Sequence, residues 1–151
     1  MNILMPGVMK IGKKLILLSL LIPLMCIGQS FLPKSEGEIV SHVYYTLSYD
    51  ENHEQAEWVH YYLDKTRISG NVERTNNFRV DNKVKTGSAT LADYKGFGYD
   101  RGHLAPAGDM KKDRISMSQS FLMSNIAPQN ASFNRGGWKK LENLVRGWIN
   151  N

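Results

Sequence analysis

The sequence predicts an α+β domain, and three observations carry the prediction. Two segments rich in aromatic and β-branched residues, Val43 to Tyr49 and Trp58 to Leu63, flank the polar run DENHEQAE. They read as an antiparallel hairpin with a long polar loop. The apolar stretch FLMSNIAPQN enters a turn, as a short strand does. From Asn134 to Ile149, Trp138, Leu141, Val145 and Trp148 recur every three or four residues, the spacing of an amphipathic helix.

Taken in order, the chain begins with Lys10, Lys13 and Lys14 ahead of the apolar run Leu15 to Ile27. Small residues follow, so residues 1–28 are expected to be a secretory signal peptide. A transmembrane anchor is the alternative, but the run is interrupted by Pro23 and falls short of the roughly 20 residues needed to span a bilayer. The expected location is secreted or periplasmic, with no membrane attachment after cleavage. The only cysteine, Cys26, lies in this segment, which removes disulfides, thiolate zinc sites and thiol nucleophiles from the mature domain. Residues 29–42 read as an exposed leader and 43–151 as the folded domain. The hairpin opens that domain. A polar, turn-rich stretch over Arg67 to Thr90 follows, and KKDRISMSQS is weakly helical or irregular.

Charge divides the chain. Residues 29–66 carry 2 basic and 7 acidic side chains, whereas 67–151 carry 14 basic and 7 acidic. The basic part suits a polyanionic partner, although surface lysines chosen for solubility give the same count. Within it stands DRGHLAPAGDM, directly after YKGFGY. In an extended segment Arg101 and His103 project to one face, so a ligand can be held between them. No HExxH is completed after His53, and neither a GxSxG nor a Walker-type loop is present. His42, His53 and His60 read as structural or merely exposed. The run Phe121 to Ile126 reads as core.

Those residue types can serve phosphodiester hydrolysis. It requires a base for water, a cation at the leaving oxygen and positive charge around the phosphorane. A neutral His103 can take the proton, and Arg101 beside it disfavours the imidazolium. Asn134 can supply a neutral oxygen to Mg²⁺, which keeps most of its waters. Taken alone, Asn134 is equally a helix N-cap, and Glu142 with Arg146 an ordinary i,i+4 ion pair.

Read together, DYKGFGYDRGHLAPAGDM and FLMSNIAPQNASFNRGGWKKLENLVR resemble the DNA/RNA non-specific endonucleases, a family of secreted bacterial nucleases and mitochondrial endonuclease G. The resemblance runs from about Tyr44 to Arg146 and implies a ββα-metal, or His-Me finger, fold with a central antiparallel or mixed sheet. It implies a chain truncated at its C-terminus, lacking later strands. It also implies a Mg²⁺-dependent enzyme, with Mn²⁺ as a substitute, that cuts DNA and RNA. His103 matches the family's general base, Asn134 its metal ligand and Arg101 its motif arginine. Glu142 and Arg146 match a water-orienting glutamate and a transition-state arginine, and Arg74 resembles an upstream family arginine. Asn125, Gln129 and Asp100 match a supporting network. Two rivals stay open: a truncated fragment that binds nucleic acid without cutting it, and an exported surface protein that contacts cell-wall or lipid phosphates.

Overall fold

The computed structural model describes residues 31–150, so the expected signal peptide over 1–28 lies outside the described residues. The elements below belong to one compact unit that begins at Leu32. Strands β1 (Glu38–Ser41), β2 (Thr46–Asp50) and β3 (Gln55–His60) form an antiparallel sheet in that order. Strand β1 corrects the leader reading. Only Val40 of its four residues is buried, while Ile39 is exposed, so no apolar alternation announced it. Its pairing with β2 sets Val40 opposite Leu47 and Ser41 opposite Thr46.

The expected hairpin is present with a tighter turn than the polar run suggested. Gln55, Ala56 and Glu57 belong to β3, on an edge strand that stays partly solvated. Polar residues are stable there because they are tied locally: Ser48 Oγ donates to Glu57 Oε2 at 2.8 Å. Tyr49 is fully buried beneath them and packs with Leu47, Val84, Ala105 and Met110 in the larger core cluster.

After the sheet comes helix α1 (Lys65–Ile68), capped by Asp64, whose carboxylate accepts from Arg67 N at 3.0 Å. The following segment is irregular, as its turn residues predicted. Strand β4 (Asp100–His103) holds the DRGH tetrapeptide. Helix α2 (Arg114–Gln119) begins at Asp113, which caps Ser116 N at 2.8 Å. Strand β5 (Ile126–Gln129) pairs antiparallel with β4, setting Asp100 opposite Gln129 and His103 opposite Ile126. Phe121 to Ile126 are all buried, and Phe121 forms the smaller core cluster with Ala107 and Met117.

The chain closes with a π-helical segment, Phe133–Trp138, that runs into helix α3 (Lys139–Asn150). The helix is where expected, but its apolar stripe does not face a core. Leu141 and Trp148 are exposed and no α3 residue is fully buried. The helix instead docks by the edge carrying Glu142 and Arg146, because a buried carboxylate, Asp109, receives Arg146.

Candidate active site

The β4 and β5 pairing explains the glycine between Arg101 and His103. A Cβ on Gly102 would stand 2.1 Å from Gln129 Cδ, so only glycine lets the side chain of Gln129, itself buried, cross the strand. Arg101 and His103 do share a face. Phe78 lies against both, with its ring 4.2 Å from the Arg101 guanidinium and 5.7 Å from the imidazole. The imidazole also meets Phe121 edge-on at 4.9 Å.

His103 is 7 % exposed, and its Nε2 has no hydrogen-bond partner among the described residues. Burial pushes its pKa down to about 3, with Arg74 and Arg101 adding to the effect. The ring is therefore uncharged at neutral pH. Its backbone is fixed on both sides of the strand end. Trp138 Nε1 donates to the His103 carbonyl at 3.0 Å, and Leu104 N donates to Asn125 O at 3.0 Å. Asn125, fully buried, uses its whole amide: Oδ1 accepts from Ala105 N, and Nδ2 donates to the carbonyls of Ala105 and Ser120.

Asn134 is not an N-cap. It sits inside the π-helical segment, where Lys139 N reaches back five residues to its carbonyl. Wide turns of this kind are frequent at functional sites. Its Nδ2 donates to Asp100 Oδ2 at 2.9 Å, while Arg135 grips the same carboxylate with two bonds of 2.8 and 2.6 Å. Those bonds from Arg135 and Asn134 hold the Asp100 carboxyl below its usual range. Asp100 thus orients Asn134 from the strand that carries His103.

Arg74, Arg101, His103, Asn134 and Glu142 line one cavity of about 430 Å³, with Lys139 and Arg135 at its wall. Arg146 is bonded to Glu142 at 3.3 Å and does not line the cavity itself. Burial raises the Glu142 carboxyl above its usual range, opposed by Arg146. Burial works against the Arg146 charge, yet Asp109 and Glu142 outweigh it and raise its pKa. Asp109 is the residue that motif reading passed over. It is 2 % exposed, accepts from Arg146 Nε at 2.5 Å and from the Tyr61 hydroxyl at 2.8 Å. The only signal in the sequence was a lone aspartate after Pro106-Ala107-Gly108.

The oxygen chemistry of the site suits a hard cation. The Asn134 amide nitrogen is committed to Asp100, which leaves its carbonyl oxygen as the atom available to a cation. Among the described residues no group of three His, Cys, Asp or Glu stands together to hold a metal.

A family model described as DNA/RNA non-specific endonuclease matches residues 28–151. The chain belongs to that family. It is 40 % identical over 122 residues to the mitochondrial nuclease EXOG of Danio rerio, covering 80 % of this chain and 36 % of that protein. It is 38 % identical over 112 residues to the mitochondrial endonuclease G of Homo sapiens, covering 73 % and 38 %. A nuclease of Nostoc sp. is 40 % identical over 104 residues, covering 68 % and 38 %. The endonuclease G of a solved complex with its inhibitor EndoGI superposes with a TM-score of 0.72 at 34 % identity, covering 77 % of this chain and 49 % of that one. The chain therefore spans less than half the length of these relatives.

The α+β, ββα-metal fold of the DNA/RNA non-specific endonucleases is the fold of this chain: β4, β5 and α3 supply its two strands and helix. Its strands are divided between two small antiparallel sheets. The expected secreted or periplasmic location is corrected by the same comparison, since the vertebrate relatives are named as mitochondrial nucleases. Among the described residues no helix is long and apolar enough to cross a membrane.

Proposed function

We propose that this chain is a Mg²⁺-dependent endonuclease that hydrolyses phosphodiester bonds of DNA and RNA without regard to sugar, with Mn²⁺ as a substitute. One observation carries the reading: a buried, uncharged imidazole lines a cavity whose wall is largely cationic. Arg74 and Arg101 bind the substrate phosphate as counter-charges. Burial, with the two arginines adding to it, keeps His103 neutral before substrate arrives; the phosphate anion then offsets the arginines' share and makes the imidazole a stronger base.

His103 accepts a proton from water at its imidazole as the water oxygen bonds to phosphorus, and the bond to the 3′ oxygen breaks to leave a 5′-phosphate. Asn134 would hold the cation through its carbonyl oxygen, with Asp100 fixing the amide. When bound, the cation supplies positive charge to the phosphate and the leaving oxygen. Glu142 orients water at the cavity wall, and Arg146, anchored on Asp109 behind that wall, keeps Glu142 in position and lends positive charge to the developing phosphorane from there. Contacts made to phosphate carry no base information, which accounts for lack of sequence specificity.

The test is cleavage of supercoiled plasmid and of a long RNA by the purified full chain with Mg²⁺, with chelator and as His103→Ala. The expected results are cleavage of both polymers, its loss with chelator, and a fall of at least about 100-fold in His103→Ala. Binding persists in that variant and weakens steeply with salt. Equal turnover in parent and variant removes His103 from its role. Binding without cleavage by the parent makes the chain a nucleic-acid-binding fragment instead.

A further inference from the structure

A second cavity, of about 590 Å³, shares Arg74, Arg101 and Asn134 with the first and is walled on its other side by Tyr94, Lys95 and Tyr99. Its size lies in the range that takes a small organic ligand. The three aromatic rings around it differ in what they are free to do. Phe78 is covered by the Arg101 guanidinium and packs edge-on against Phe121. Tyr94 is fixed by its hydroxyl, which donates to Ile126 O at 2.8 Å and accepts from Gln55 Nε2 at 3.0 Å.

Tyr99 is different. The residue is 55 % exposed, and its hydroxyl makes no hydrogen bond among the described residues. It stands one residue before Asp100 and so at the start of the strand that carries His103. Gly96 and Gly98, with φ of 84° and 74°, turn the chain on either side of Phe97, in a conformation that side chains with a Cβ avoid. Phe97, 67 % exposed, lines an adjoining cavity with Tyr99. The loop therefore leaves flat apolar surface in water beside the arginines, with Lys95 on the same wall.

We propose that Tyr99 is the stacking surface for the base of the nucleotide that flanks the scissile phosphate. The inference rests on the phosphodiester reading of the adjoining cavity and adds a substrate class to it: nucleic acid that is single-stranded or unpaired beside the cut. A paired base is already stacked within its duplex and must leave it to reach a protein ring. Stacking also suits a site that does not read sequence, because every base has a π-face. Lys95 meets the phosphate on the far side of that base.

The test uses the full-length His103→Ala chain as a non-cutting background and two labelled probes of about eight nucleotides. One is oligothymidylate, and the other is an abasic oligomer of equal length and charge. The expected result is tighter binding of oligothymidylate. Adding Tyr99→Ala weakens that binding roughly 10-fold and leaves the abasic oligomer unchanged, while Tyr99→Phe binds both as the background does. Equal affinity for the two probes in the background overturns the proposal. So does an equal loss for both in Tyr99→Ala, which marks a structural role, or a loss in Tyr99→Phe as large as in Tyr99→Ala. Absence of binding to either oligomer overturns the nuclease reading and the stacking proposal with it.

Discussion

His103 and Glu142 line the same cavity, yet the elements that carry them are fixed by different forces. The imidazole rests on Phe78 and Phe121, and the backbone beyond it is bonded to Asn125, which lies at the centre of the fold. Helix α3 has no fully buried residue and leaves Leu141, Leu144 and Trp148 in water. It is joined to the domain through Trp138 and through the Arg146 pair with Asp109. Burial and backbone hydrogen bonds need no counter-charge, whereas a largely buried ion pair, though little screened by salt, fails when either partner loses its charge. The imidazole is thus held by the core, and the glutamate largely through the Arg146 pair with Asp109.

The sharpest way to break this contrast is to damage each support separately. Asn125→Ala removes three buried hydrogen bonds and leaves Ala105 N and two carbonyls unpaired. It is expected to cost about 3 kcal/mol or more, read as a lower urea midpoint, with activity lost along with the fold. A wild-type midpoint would show that the amide clamp does not hold the β4 end.

Asp109→Asn comes next. It keeps a side chain able to bond Tyr61 but leaves the partly buried Arg146 without its main counter-charge. The expected loss is about 1–2 kcal/mol of stability. Turnover should drop about tenfold through misplacement of Glu142. Wild-type stability and turnover in Asp109→Asn would contradict an electrostatic mounting. The smallest effect belongs to the exposed ammonium of Lys85, 3.6 Å from the β1 residue Glu38. Lys85→Ala should alter thermal stability and turnover by no measurable amount, because a solvated ammonium contributes little and the backbone bond from Lys85 N to Glu38 remains.

The same contrast explains what could be read without coordinates. The β4 strand, β5, His103 and Asn134 announced themselves because their chemistry lies in short contiguous motifs. Gly102 follows from the same pairing once Gln129 is set opposite Asp100. The amphipathic stripe of α3 was legible as a helix, but the docking edge was chosen by Asp109, which lies 37 residues from Arg146 and 48 from Tyr61. No local pattern encodes a three-way contact of that range. Strand β1 was hidden for a related reason, since four residues with one buried side chain become a strand only when β2 is beside them. His42 was read as structural, and its Nε2 does pair with the buried Asp81 at 2.8 Å. Ser124, next to Asn125, donates to the same carboxylate at 2.6 Å, so this buried network backs the clamp from the other side.

Histidine titration followed by NMR tests the central claim most directly, namely that the core keeps the His103 imidazole dry and uncharged. The Cε1 proton of His103 should hold its neutral chemical shift from about pH 8 down to about pH 5, well past the ordinary histidine range near 6.5. His53, exposed and paired with Asp50, should protonate above its usual value in the same experiment. A His103 resonance that titrates near pH 6.5 would mean a solvated ring, and would contradict the account of how this fold prepares its base.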